Sequence, residues 1–138
     1  MFCLKRKYYW KVLALIVLVF TLSACRSEPP RIVIEPPFQD LGEVPQKPLE
    51  VAYTVRNEGG SPLVIEKIST SCGCTRAEME QSTLAPGEAV TLRVVLDPVE
   101  DNLYGDILRM VYIRSNDPEN PEAEVELRVT ILKPEGEP

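Results

Sequence analysis

Apolar residues recur at every second position toward the end of this chain. Val125, Leu127, Val129 and Ile131 alternate with Glu124, Glu126, Arg128 and Thr130. Successive side chains of an extended strand point to opposite faces, so a period of two specifies a strand with one face in a core. The same pattern runs backwards through the chain. Val90, Leu92, Val94 and Leu96 oppose Thr91 and Arg93, while Val51, Tyr53 and Val55 oppose Ala52, Thr54 and Arg56; Leu63 and Ile65 share a face, as do Ile32 and Ile34. Between Gly105 and Arg114 both faces are apolar, with Ile107, Val111 and Ile113 against Leu108, Met110 and Tyr112, which predicts a central or bulged strand.

Turn residues separate these runs: Pro36-Pro37, Asn57-Glu58-Gly59-Gly60, Ala85-Pro86-Gly87-Glu88, Asp97-Pro98 and Asn116-Asp117-Pro118. The Pro-Gly pair fits the centre of a type II turn, where the glycine takes the positive φ. No helical period survives from Arg31 onward. About seven strands in about 100 residues predict an all-β fold, an immunoglobulin-like antiparallel β-sandwich; a small barrel has the same periodicity. An antibody-type disulfide is excluded, because Cys72 and Cys74 are near neighbours and the single tryptophan, Trp10, precedes the strands.

The N-terminus carries an address. Lys5, Arg6, Lys7 and Lys11 precede the apolar run Val12 to Leu22, which is too short for a membrane span of about 20 residues and has the charge order of a secretory signal. The run ends in Leu22-Ser23-Ala24-Cys25, which resembles a bacterial lipobox and predicts acylation of Cys25 as a lipid anchor. The resulting division is a signal peptide over residues 1–24, a lipidated cysteine and short tether over 25–30, a sandwich over 31–132 and a tail over 133–138. The protein is therefore expected outside the cytoplasm, held on the cell membrane or the outer membrane. The absence of aspartate after Cys25, where Arg26 stands, leans toward the outer one.

Charge and composition narrow the function. Without the four leader cations the chain has 11 basic residues against 21 acidic, so no basic stripe exists for nucleic acid. The sequence has no histidine, which excludes Ser-His-Asp and Cys-His catalysis within the chain. Lys67 with Ser69 or Ser71 lacks the flanking motif of a Ser-Lys pair. Asp97, Glu100, Asp101 and Asp106 lack the spacing of a calcium loop, and Glu119, Glu122, Glu124 and Glu126 read as a solvated strand face. The expected protein is not an enzyme.

Residues Phe38 to about Ile131 resemble a family of bacterial secreted domains of unknown function marked by a Ser-Cys-Gly-Cys-Thr signature, here Ser71 to Thr75. The family is related to immunoglobulin-like sandwiches of the major-sperm-protein and ciliary type. The resemblance rests on Phe38 to Gly42, Asn57-x-Gly59, Pro62-Leu63-x-Ile65, Ser71 to Thr75, Pro86-Gly87-Glu88, Gly105 and Ser115 to Pro118. It departs at Arg128-Val129, where the family often has a glycine before the final valine. The resemblance implies a sandwich outside the cytoplasm and brings no reaction with it.

Apart from Cys25 and the leader's Cys3, Cys72 and Cys74 are the only thiols. In a regular strand their Cα atoms would stand about 6.6 Å apart on one face, at the long limit for a disulfide. Gly73 lets the backbone fold more tightly, toward a short disulfide ring or a two-thiolate clamp. Three uses stay open: a structural pair, a site for Cu(I) or another thiophilic ion with Met79, Met110 or carboxylates as further ligands, and thiol redox chemistry. No cofactor is firmly implied. The leading expectation is a non-enzymatic, lipid-anchored domain that binds a protein partner in the cell envelope, with copper binding or thiol redox at Cys72 and Cys74 as the alternative.

Overall fold

A computed structural model of the chain describes residues 27–136; the expected signal peptide and lipid-anchor site, Cys25, lie outside the described residues. The chain folds into nine strands: β1 (Ile32–Glu35), β2 (Phe38–Pro45), β3 (Leu49–Asn57), β4 (Leu63–Thr70), β5 (Thr75–Met79), β6 (Thr83–Leu84), β7 (Ala89–Leu96), β8 (Gly105–Ser115) and β9 (Glu122–Leu132). They form a four-stranded sheet, β1-β3-β7-β5, packed on a five-stranded sheet, β2-β9-β8-β4-β6. Two sheets with free edges set the small barrel aside, and the fold is the immunoglobulin-like sandwich. It exceeds the expected seven strands by two: β5 has only Ala77 and Met79 as an apolar alternation, and β6 has two residues, too few to show a period.

One pairing departs from the antiparallel expectation. β2 runs parallel to β9, with Phe38 opposite Glu126 and Pro45 opposite Leu132. The cause lies at Pro36-Pro37, where the chain leaves one sheet for the other without reversing. Proline lacks the N–H a ladder needs, so the first sheet's pairing stops there. β1 and β2 are thus two halves of one extended path.

The alternating residues meet between the sheets. Val55, Leu92, Val94, Leu96, Val111, Ile113, Leu127 and Val129 are almost fully buried. Tyr53 joins the layers, its hydroxyl donating to the Glu126 carbonyl of β9 at 3.1 Å. Burial, reinforced by the Glu126 charge, pushes its pKa up to about 12. The Pro86-Gly87 turn closes with Glu88 N–H donating to the Ala85 carbonyl at 3.0 Å and Gly87 at φ +80°, as a type II turn requires.

The strand registers give the sandwich two ends. β3 finishes at Asn57, opposite Ile32, and β4 starts beside it, so the turns at 57–62, 85–88 and 116–121 share one end. At the other end lie the 46–48 and 71–74 turns and the long 97–104 loop. Two buried polar residues hold the first end together. Asn57 Nδ2 donates to the carbonyls of Ser61 at 2.8 Å and Leu84 at 3.0 Å. Asp117 accepts from the backbone N–H groups of Ile32 at 2.8 Å, Glu119 at 2.8 Å and Asn120 at 3.1 Å.

The segment before β1 is docked on that same end. Ser61 Oγ donates to the Glu28 carbonyl at 2.7 Å, and Glu58 N–H donates to the Arg31 carbonyl at 2.9 Å. A Cβ on Gly59 would collide with the backbone of Pro29, Pro30 and Arg31. That glycine is required by close approach of two backbones.

Candidate thiol site

Cys72 and Cys74 occupy the crossover in which the chain leaves β4 in one sheet and enters β5 in the other. Several backbone groups around them are held. Ser71 N–H donates to the Met110 carbonyl at 3.0 Å, Thr75 N–H to the Cys72 carbonyl at 3.2 Å, and Asp97 N–H to the Cys74 carbonyl at 3.0 Å. The Thr70 hydroxyl lies 2.9 Å from the Cys72 carbonyl and 3.0 Å from that of Thr75. These bonds fix the loop against β8 and the 97–104 loop.

The two sulfurs are joined as a disulfide across a Cα–Cα distance of 5.4 Å, shorter than an extended strand gives. Gly73 contributes differently from the sequence expectation. A Cβ there would meet open space, and its φ is not among the positive ones. The tightness comes from the hydrogen-bonded turn and not from a conformation that only glycine adopts. The two cysteines are inequivalent: Cys74 is 4% exposed, whereas Cys72 is only partly covered.

Arg109 is the residue that the sequence reading missed. Its Nε–H donates to Cys74 Sγ at 3.4 Å, while its NH1 holds the Leu108 carbonyl at 2.9 Å. The signal was present, because Arg109 falls on the inward face of β8 between Ile107 and Val111, where the apolar alternation calls for a hydrophobic residue. A second charge, exposed Asp101, has a carboxylate oxygen within 4.8 Å of both sulfurs.

Cys72, Cys74 and Asp101 are the one metal-like cluster among the described residues, but in the disulfide form they do not fit Cu(I). Disulfide sulfurs are not thiolates, the third donor is a hard oxygen, and a guanidinium already occupies one sulfur. The methionines do not complete the set. Met79 is four residues along β5 from Thr75, about 13 Å away, and Met110 lines a depression on the outer sheet face with Phe38 and Arg128. The other candidates serve turns and surfaces. Asp97 Oδ1 accepts from Val99 N–H at 3.0 Å and Asp106 from the Thr130 hydroxyl at 2.7 Å. Ser71 Oγ accepts from Met110 N–H at 3.0 Å, and Lys67 lies opposite Arg114. Glu122 pairs with Arg114 at 3.3 Å. Arg128 lies over the Phe38 ring at 5.4 Å.

Solved structures share this sandwich. A protein of unknown function from Porphyromonas gingivalis W83 superposes with a TM-score of 0.69 at 20% identity, over 78% of this chain and 50% of that one. The present chain therefore spans half the length of that relative. The PapD-like domain 7 of human CEP192 gives a TM-score of 0.61 at 11% identity, covering 78% and 89%. SSP-19, a major-sperm-protein-like protein of Caenorhabditis elegans, gives 0.54 at 12%, covering 71% and 98%. These similarities establish the fold alone. A comparison with curated proteins finds no significant match. Residues 32–131 match the family described as protein of unknown function (DUF1573), and the chain belongs to that family.

Proposed function

We propose that the protein is a non-enzymatic binding domain, lipid-anchored through Cys25 outside the cytoplasm, that presents the Cys72–Cys74 end of its sandwich to a protein partner in the cell envelope. The supporting observation is the docked segment at Glu28 to Arg31. Cys25 precedes Glu28 by three residues, so an anchored molecule rests with its Asn57–Ser61 end at the bilayer. β4 runs from that end to the thiols, which then stand roughly 25 Å further out. Loops at the free end of a sandwich are the usual place for recognition, and Val99 is 51% exposed there.

The test has two arms. Cys25→Ala should release the protein from membranes. A photo-crosslinker at Val99 should form one discrete adduct in cells, and one at Gly60 should form none. Continued membrane retention, or equal crosslinking at both ends, would overturn the proposal.

A second use of the thiols, redox chemistry, is supported by the Arg109 contact. A guanidinium on a sulfur stabilises thiolate and repels a metal cation. As a staple the disulfide has little to do, because closing so short a loop restricts the unfolded chain by only about 1.5 kcal/mol.

A further inference from the structure

Resting on the redox use of the pair, the geometry points to a directional exchange site in which Cys72 is the attacked sulfur, Cys74 the leaving thiolate and Arg109 its stabilising cation, so that the disulfide oxidises dithiols on neutral or basic protein segments. Three features of the site converge on this assignment. Cys74 is 4% exposed, so an incoming thiolate reaches the disulfide from the side of partly exposed Cys72. Arg109 Nε–H is directed at Cys74 Sγ at 3.4 Å, and the Thr75 hydroxyl lies 3.7 Å from the same atom. Both groups stand where negative charge develops when the S–S bond breaks, and exchange is faster when the leaving thiolate is stabilised.

The electron count closes over two steps. A substrate thiolate attacks Cys72 Sγ, forming a mixed disulfide, and the pair of the broken S–S bond moves onto Cys74 Sγ facing Arg109. The substrate's second thiolate then attacks the substrate sulfur of the mixed disulfide and expels Cys72 as a thiolate. The substrate leaves as a disulfide, oxidised by two electrons, and the Cys72–Cys74 pair is reduced by two. The protons of the two substrate thiols pass to solvent or to the new cysteine thiols. The same steps in reverse, with a protein disulfide as acceptor, restore the starting state. A cation that stabilises the reduced form makes the disulfide a better oxidant. Asp101, within 4.8 Å of both sulfurs, places a negative charge beside the attacked sulfur, which disfavours a substrate that carries further negative charge next to its thiolate and gives the preference for neutral or basic segments.

The experiment uses the full chain extracted in detergent. Dithiothreitol should open the disulfide in the folded wild-type protein; if it remains closed until the protein unfolds, the redox reading itself fails. Given opening, a fully reduced Cys74→Ser variant should react with Ellman's reagent at least tenfold faster than a reduced Cys72→Ser variant. Equal rates, or a faster Cys74, would overturn the assignment of the attacked sulfur. In redox titration against dithiothreitol, Arg109→Met should shift the equilibrium about tenfold toward the disulfide, about 30 mV. Arg109→Lys should stay within about threefold of wild type. Thermal midpoints identify a variant that has lost its fold, and the lysine variant supplies the comparison in that case. An Arg109→Met protein that is folded and equilibrates as wild type overturns the role of Arg109. Finally, cysteamine should open the disulfide faster than 3-mercaptopropionate, with the gap narrowed in Asp101→Asn; the reverse order would overturn the substrate preference.

Discussion

Single side chains carry much of the pH response. Asp117 is 2% exposed. Burial works to raise its pKa, but the N–H groups of Ile32, Glu119 and Asn120, helped by Arg31, bring it below the ordinary value. A depressed folded value means stabilisation that is present above the unfolded pKa, about 4, and lost as pH falls through the folded one. Asp117→Ala should cost about 2–3 kcal/mol in denaturant unfolding at pH 7 and flatten the acid limb of the stability profile. Tyr53 has the opposite sign. Its raised value, about 12, gives stability that is complete below the unfolded pKa of about 10 and lost as pH rises through the folded one. Tyr53→Phe should cost about 1 kcal/mol near neutrality, and its stability should fall less than that of wild type between pH 10 and 12. Gly73→Ala, with open space for its Cβ, should leave the melting temperature unchanged or slightly raised, since the unfolded chain loses entropy.

At the level of elements, two local sequences decide where segments go. Pro36-Pro37 sends β2 into the second sheet, and the Gly59 turn makes room for the chain that precedes β1. Gly59→Ala places a methyl group inside the backbone of residues 29–31, so that segment should leave the turn while the strands persist. The expected result is faster tryptic cleavage after Arg31, with a stability loss of about 1–3 kcal/mol. Unchanged protease resistance would show that the segment is not held there. β8 illustrates a different point. It is central in its sheet, between β9 and β4, yet its outer apolar face is open to solvent at Leu108, 47% exposed, and the one basic residue on its inward face reaches the end of the core at Cys74.

For the whole molecule, orientation follows from connectivity. With the chain docked at one end and the thiols at the other, a lipid-anchored molecule should show strong quenching by nitroxide lipids of a fluorophore at Gly60 and little of one at Val99. Equal quenching would contradict this orientation. The sequence by itself determined the sandwich, the inward residues of the long strands and the turns at Asn57 and Pro86-Gly87, because alternation and turn chemistry are local and repeat over several residues. Gly73's apparent role in the thiol turn was misread, since spacing cannot tell a glycine needed for its φ from one lying in open space. Only the tertiary structure decided that β2 pairs parallel with β9, that Glu28 to Arg31 lies on the Asn57 end, and that Arg109 and Asp101 flank the thiols. Arg109 is 35 residues from Cys74 in sequence, and its side chain meets that sulfur only because packing the two sheets brings the inward face of β8 against the β4–β5 crossover.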